Sequence, residues 1–182
     1  MKIIINTLLY ISLALLLVSC HRADEDQDVI SQEEISNVIL LVHDNQTGIT
    51  KTYNYTANAT ENPLISLENG KEYTVDVVFK NGNEDLNSEI LEAKDEHFLI
   101  FQFIDAQIQL TRLSGANDTR SDGNKIGMKT KWKINAINSP SAKLNLTLNH
   151  AAISVSEAEN NFTYGSVDGG ETDAEAVYNL SN

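Results

Sequence analysis

The apolar positions of this chain fall into three regimes. An unbroken run fills residues 8–18, relieved only by Tyr10 and Ser12. A short stretch almost without apolar residues follows, at 21–28. From residue 35 onward the pattern becomes short segments of alternating or branched residues punctuated by Asn, Asp and Gly. Period-two alternation bounded by turn residues predicts strands. Residues 35–43 (ISNVILLVH) read as one strand and 51–57 (KTYNYTA) as its hairpin partner, with Asp44, Asn45 and Gly48 supplying the turn. A brief extended piece at 64–67 follows Asn62-Pro63, and residues 73–79 alternate strongly. Residues 84–94 are the one helical candidate, with Leu86, Ile90 and Leu91 on one side.

The second half keeps the habit. Residues 98–104 (FLIFQFI) are apolar on both faces, as expected of a buried central strand. Residues 108–113 alternate, and 115–127 form a polar loop. In 128–135, Met128, Thr130, Trp132 and Ile134 share one face and Lys129, Lys131 and Lys133 the other. Leu144, Leu146 and Leu148 mark another inward face. A loop with glycines at 165, 169 and 170 leads to a last strand at 173–180. About seven to nine strands at this spacing predict an all-β antiparallel β-sandwich, immunoglobulin-like, with one short helix.

The first regime gives an address. Lys2, the apolar run and its short length make a secretory signal, since a membrane-spanning helix needs roughly 20 apolar residues. The run ends in Leu17-Val18-Ser19-Cys20, which resembles a lipobox. The resemblance implies cleavage before Cys20, acylation of its thiol and a membrane anchor of two or more chains. Cys20 is the only cysteine, so no intramolecular disulfide competes for it. The tether that follows carries Asp24, Glu25, Asp26 and Asp28 and is too polar to pack. It resembles the acidic export tags of surface lipoproteins in the Bacteroidetes, and a plain solvated spacer is the competing reading. The expected divisions are a signal peptide at 1–19, a lipidated cysteine and tether at 20–33, and one β-sandwich domain at 34–182.

Charge narrows the partners. The net charge is −13, and loss of Lys2 with the signal makes it more negative. That excludes nucleic acid, which needs a basic surface. It also excludes adsorption onto anionic lipid, so the membrane is reached through the lipid anchor alone.

Several weak motifs together resemble a group of small Bacteroidetes lipoproteins often found beside TonB-dependent outer-membrane receptors. They are Asp95-Glu96-His97 before the aromatic strand, the polar loop leading to Gly127 and Trp132, the Leu-rich strand ending in His150, and Gly170-Glu171-Thr172-Asp173. The resemblance implies an outer-membrane accessory role in uptake, with a receptor protein as partner, and assigns no activity.

Candidate chemistry is sparse. His97, His150, Glu171 and Asp173, with Asp95 nearby, lie at expected strand ends, and imidazole with carboxylate suits zinc or a similar divalent ion. No tight histidine spacing joins them, so edge histidines beside an acidic rim are the competing reading. Residues 118–124 faintly resemble a calcium loop, but Arg120 and Lys129 stand where oxygen donors belong, which favours a hairpin loop. Tyr53 and Tyr55 share a strand face and suit either sugar stacking or cross-strand packing, and packing is the commoner use. Trp132 is expected in the core. No nucleophile elbow, phosphate loop, H-E-x-x-H or dinucleotide-binding glycine motif occurs. The expectation is a non-catalytic binding or accessory lipoprotein of the cell envelope, the alternative a divalent-metal-binding lipoprotein. A small hydrolase is the least favoured reading, because no activated nucleophile can be named.

Overall fold

The computed structural model describes residues 35–113, 115 and 117–182. The expected signal segment, Cys20 and the acidic tether lie outside the described residues. Among the described residues are twelve strands and one short helix: β1 (Asn37–Asp44), β2 (Thr50–Thr56), β3 (Leu64–Ser66), β4 (Glu72–Asn81), β5 (Glu84–Asp85), α1 (Asn87–Glu92), β6 (His97–Ile104), β7 (Ala106–Arg112), β8 (Lys129–Ile137), β9 (Lys143–His150), β10 (Ser154–Asn160), β11 (Thr163–Asp168) and β12 (Glu171–Ser181). One sheet runs β2-β1-β4-β8-β7, with β5 hydrogen-bonded to β4; the other runs β10-β11-β6-β9-β12-β3. The two sheets pack as an all-β sandwich. Every strand pair is antiparallel except β12 with β3, which run parallel.

Local chemistry sets the turns. Between β1 and β2 the Asp44 carboxylate accepts the backbone N–H groups of Gln46 (2.8 Å) and Thr47 (3.1 Å), an Asx turn. The helical candidate shrinks to the six residues of α1, where Ile90 alone is buried. Asn87 ties it to β4: its side chain accepts from the Phe79 N–H and donates to the Val77 carbonyl, both at 2.9 Å. The expected glycine loop near 165 is instead the hairpin of β10 and β11. No residue of β10 is buried, so its sequence carries no apolar period.

Alternate residues of each strand meet between the sheets. Leu40, Val75 and Val77 from one sheet and Leu99, Phe101, Leu146 and Leu148 from the other are at most 1% exposed. Trp132 is fully buried, edge-on to Phe103 at 5.2 Å, and its Nε1–H donates to Thr130 Oγ1 at 2.8 Å. Truncating so large a side chain to alanine costs about 3–5 kcal/mol in well-packed cores. Two buried tyrosines pin sheet to sheet. Tyr178 on β12 donates to the Val38 carbonyl of β1 at 2.7 Å, and Tyr164 on β11 to the Ile108 carbonyl of β7 at 2.9 Å.

A third pin is charged. Arg112, at the end of β7, is 4% exposed. Its guanidinium donates to the carbonyls of Ile126 (2.6 Å), Leu99 (2.6 Å), Tyr164 (3.1 Å) and Lys125 (3.3 Å). It lies over the Phe98 ring, 4.4 Å from its centroid. Burial pulls its pKa down to about 10, partly offset by Glu157 and Asp118, so it stays charged at neutral pH.

The register defines two poles. His97, His150 and Glu171 are aligned at one end of β6, β9 and β12; Ile104, Lys143 and Asn179 are aligned at the other. Ile35 and Ser36, where the described chain begins, lie beside Asp173, Ala174 and Glu175 at the first pole. Among the described residues, no helix is long and apolar enough to cross a membrane.

Candidate functional site

The structure brings three of the four expected metal ligands together. His97 and His150 are direct cross-strand partners, with ring centroids 5.1 Å apart. Asp173 Oδ2 lies 3.5 Å from His97 Nε2, and all three residues are buried. Glu171 pairs with His150 through the backbone but is itself exposed.

The donors are mostly spoken for. His97 Nδ1 sits 3.0 Å from the Ala93 carbonyl, which can only accept, so Nδ1 carries a proton. His150 Nε2 is engaged at 2.9 Å by the carboxylate of Glu96. Buried without a hydrogen-bond partner are His97 Nε2 and Asp173 Oδ2, which face each other within ion-pair range but without hydrogen-bond geometry. Among the described residues, no group of three or more His, Cys, Asp or Glu side chains is arranged to hold a metal ion. In the structure the residues of the expected quartet lie as two histidine–carboxylate pairs, His97 with Asp173 and His150 with Glu96, with Glu171 exposed beside them. Glu96 escaped the sequence reading because strand alternation assigned Asp95 to the face of His97. Residues 93–96 form a turn, where period two does not hold. Asp95 turns instead to the Ser121 N–H, accepting at 2.6 Å, and that bond holds its carboxyl below the usual range.

The loop at 118–124 is an arginine anchor. Arg120 is buried and donates to the carbonyls of His97 (3.0 Å) and Lys94 (3.3 Å) and to Asp122 (3.1 Å). Its charge stands in the place a cation would need. Tyr53 and Tyr55 both pack against the core, Tyr55 with its ring 6.2 Å from that of Tyr178. Packing thus accounts for both tyrosines.

A large groove lies at the other pole, and sequence reading had singled out none of it. It is a groove of about 760 Å³ where the ends of β6 and β8 meet the β10–β11 turn. Its residues are drawn from three separate stretches, 102–107, 136–139 and 160–163, each crossing a turn, so no linear pattern could have gathered them. A second cleft, about 320 Å³, lies beside Tyr53 and is closed at one side by Lys71, which bridges Asp44 (3.1 Å) and Glu68 (2.7 Å). No family model, curated protein or solved structure matches this chain.

Proposed function

We propose that the protein is a lipid-anchored, non-catalytic binding module of the outer membrane, displayed on the cell surface as an accessory to a TonB-dependent uptake receptor. The observation that carries this reading is the opposition of entry point and groove. The chain runs from the Leu17–Cys20 motif through the acidic tether to Ile35, at the pole of His97 and Asp173. The groove opens at the pole of Ile104, seven strand residues away, roughly 23 Å at about 3.3 Å per residue. A tether from Cys20 therefore joins the domain at the pole opposite the groove and leaves the groove uncovered. The buried polar groups favour binding over catalysis as well: the two histidines and both buried arginines are engaged in holding the fold.

The test is fractionation of cells expressing the wild type and Cys20→Ala, with radiolabelled fatty acid. The wild-type protein should carry the label and sediment with outer membranes, and Cys20→Ala should do neither. Acyl label retained by Cys20→Ala would overturn the anchor.

A further inference from the structure

The groove at the distal pole combines three features that point to one class of ligand. Five amides line it: Gln102, Gln107, Asn138, Asn160 and Asn161. Each amide offers both donors and an acceptor, which suits hydroxyl groups that both give and take hydrogen bonds. No Lys, Arg or His lines the groove, and its one charged group is Asp105. In a chain of net charge −13, such a groove repels phosphates, uronates and carboxylates. Asp105 is held in place by Ser141, whose hydroxyl donates to Oδ2 at 2.7 Å, so its other oxygen is left for a ligand hydroxyl. Charge-assisted bonds of that kind are the stronger ones.

The backbone supplies the third feature. Among the described residues, five other than glycine have positive φ, and three of them line this groove: Asp105 (φ 54°), Asn161 (φ 53°) and Phe162 (φ 61°). Asn161 and Phe162 are the two central residues of the β10–β11 hairpin turn, where positive φ at both positions calls for Asn-Gly. Asparagine meets that demand. Phenylalanine stands where glycine belongs, in a region that bulky residues rarely enter. Strain of this sort persists where a side chain is wanted in a fixed place. Here it sets a half-buried aromatic ring, packed in part against the core, on the wall of an amide-lined groove. Its backbone carbonyl, accepting from the Phe103 N–H at 3.0 Å, ties the turn to β6.

We propose that this groove is a binding site for neutral carbohydrate. The C–H face of a sugar ring packs on Phe162, and its hydroxyls are bound by the amides and by Asp105. The open groove, of about 760 Å³, admits a stretch of oligosaccharide chain and not one enclosed sugar. This assignment rests on the binding-module reading above and names the ligand of that module.

The test uses the mature chain with Cys20→Ala, which frees it from the membrane without touching the groove. It is run in native gels containing dextran, laminarin, mannan or xylan, and in gels containing polygalacturonate. The expected result is retardation by at least one neutral polysaccharide and none by polygalacturonate. Calorimetry with a hexasaccharide of the retarding polymer then quantifies variants. Phe162→Gly should lose at least ten-fold in affinity while the domain stays folded, because relief of the turn offsets the lost packing of the ring. Asn138→Ala, at an exposed position, should also weaken binding. Failure of every neutral polymer to retard the protein, preference for polygalacturonate, or undiminished affinity in Phe162→Gly would each overturn the proposal. Those outcomes leave acylation untouched. Sugar binding by a protein that cells never acylate would instead overturn the anchor and leave the groove's ligand standing.

Discussion

The guanidinium of Arg112 fills the space in which any side chain at position 127 would stand. A Cβ built on Gly127 collides with Arg112 Nη1 and approaches Phe101 Cε2 to 3.2 Å, and the backbone there has φ of +102°. Gly127→Ala should therefore destabilise the domain by about 2–4 kcal/mol, strain and overpacking acting together. Gly123→Ala is the control: its φ is +88° but nothing lies within 4 Å, so it should cost only about 1 kcal/mol. Urea midpoints of the two variants check the difference. Equal losses would mean that Arg112 yields to the added methyl.

Arg112 itself answers four carbonyls, and a single ammonium cannot reproduce that planar spread of donors. Arg112→Lys should unfold at lower urea by about 2–4 kcal/mol, since carbonyls of β6 and β11 lose their partner in a dry interior. A cost below about 1 kcal/mol would show that water reaches those carbonyls.

Zinc should leave the melting temperature of the wild-type domain unchanged, because a ligand that binds the folded state raises it by mass action and no three-donor site is built among the described residues. His97→Ala, by contrast, strands the buried Asp173 carboxylate and should cost about 1–3 kcal/mol with or without metal. A zinc-dependent rise that His97→Ala abolishes would restore the metal centre.

Acid stability should depend on Asp44. Backbone bonds from Gln46, then Thr47, and the ion pair with Lys71 hold its pKa at about 2, below the ordinary 3.8. A carboxyl whose folded pKa is depressed contributes stability that is fully present above the unfolded value and is lost as pH falls through the folded one. Between about pH 4 and 2 the wild type should lose stability that Asp44→Asn has already lost, so the two urea midpoints converge on acidification. Parallel curves would place the acid sensitivity elsewhere.

Display on the outer face should follow the tether's acids. Protease added to intact cells should digest the wild-type domain, and replacing Asp24, Glu25, Asp26 and Asp28 with Asn or Gln should protect it while acylation persists. Full protection of the wild type in intact cells would place the domain in the periplasm.

How much of this was legible depends on where burial leaves a trace. Strands β1, β4 and β6 to β9 lie where the apolar pattern predicted them, because each lays at least one full face on the core. Strand β10 left no such trace, and the polar hairpin it forms read as loop. The meeting of His97 with His150 followed from two strand ends, but their occupation by Glu96 and the Ala93 carbonyl depended on a turn that no periodicity describes. The groove is the extreme case. Three turns far apart in sequence converge there, and the only local signal was a phenylalanine where a hairpin turn asks for glycine.

The placement of β12 has a consequence for when this chain can fold. Inserted between β9 and the parallel β3, it closes the second sheet and carries Tyr178 to its bond with β1. Residues 37–44 thus wait for residues 171–181, and pairings so distant in sequence form slowly. A growing chain lacks this interior strand until residues 171–181 have been made, so the domain stays open through most of its own synthesis.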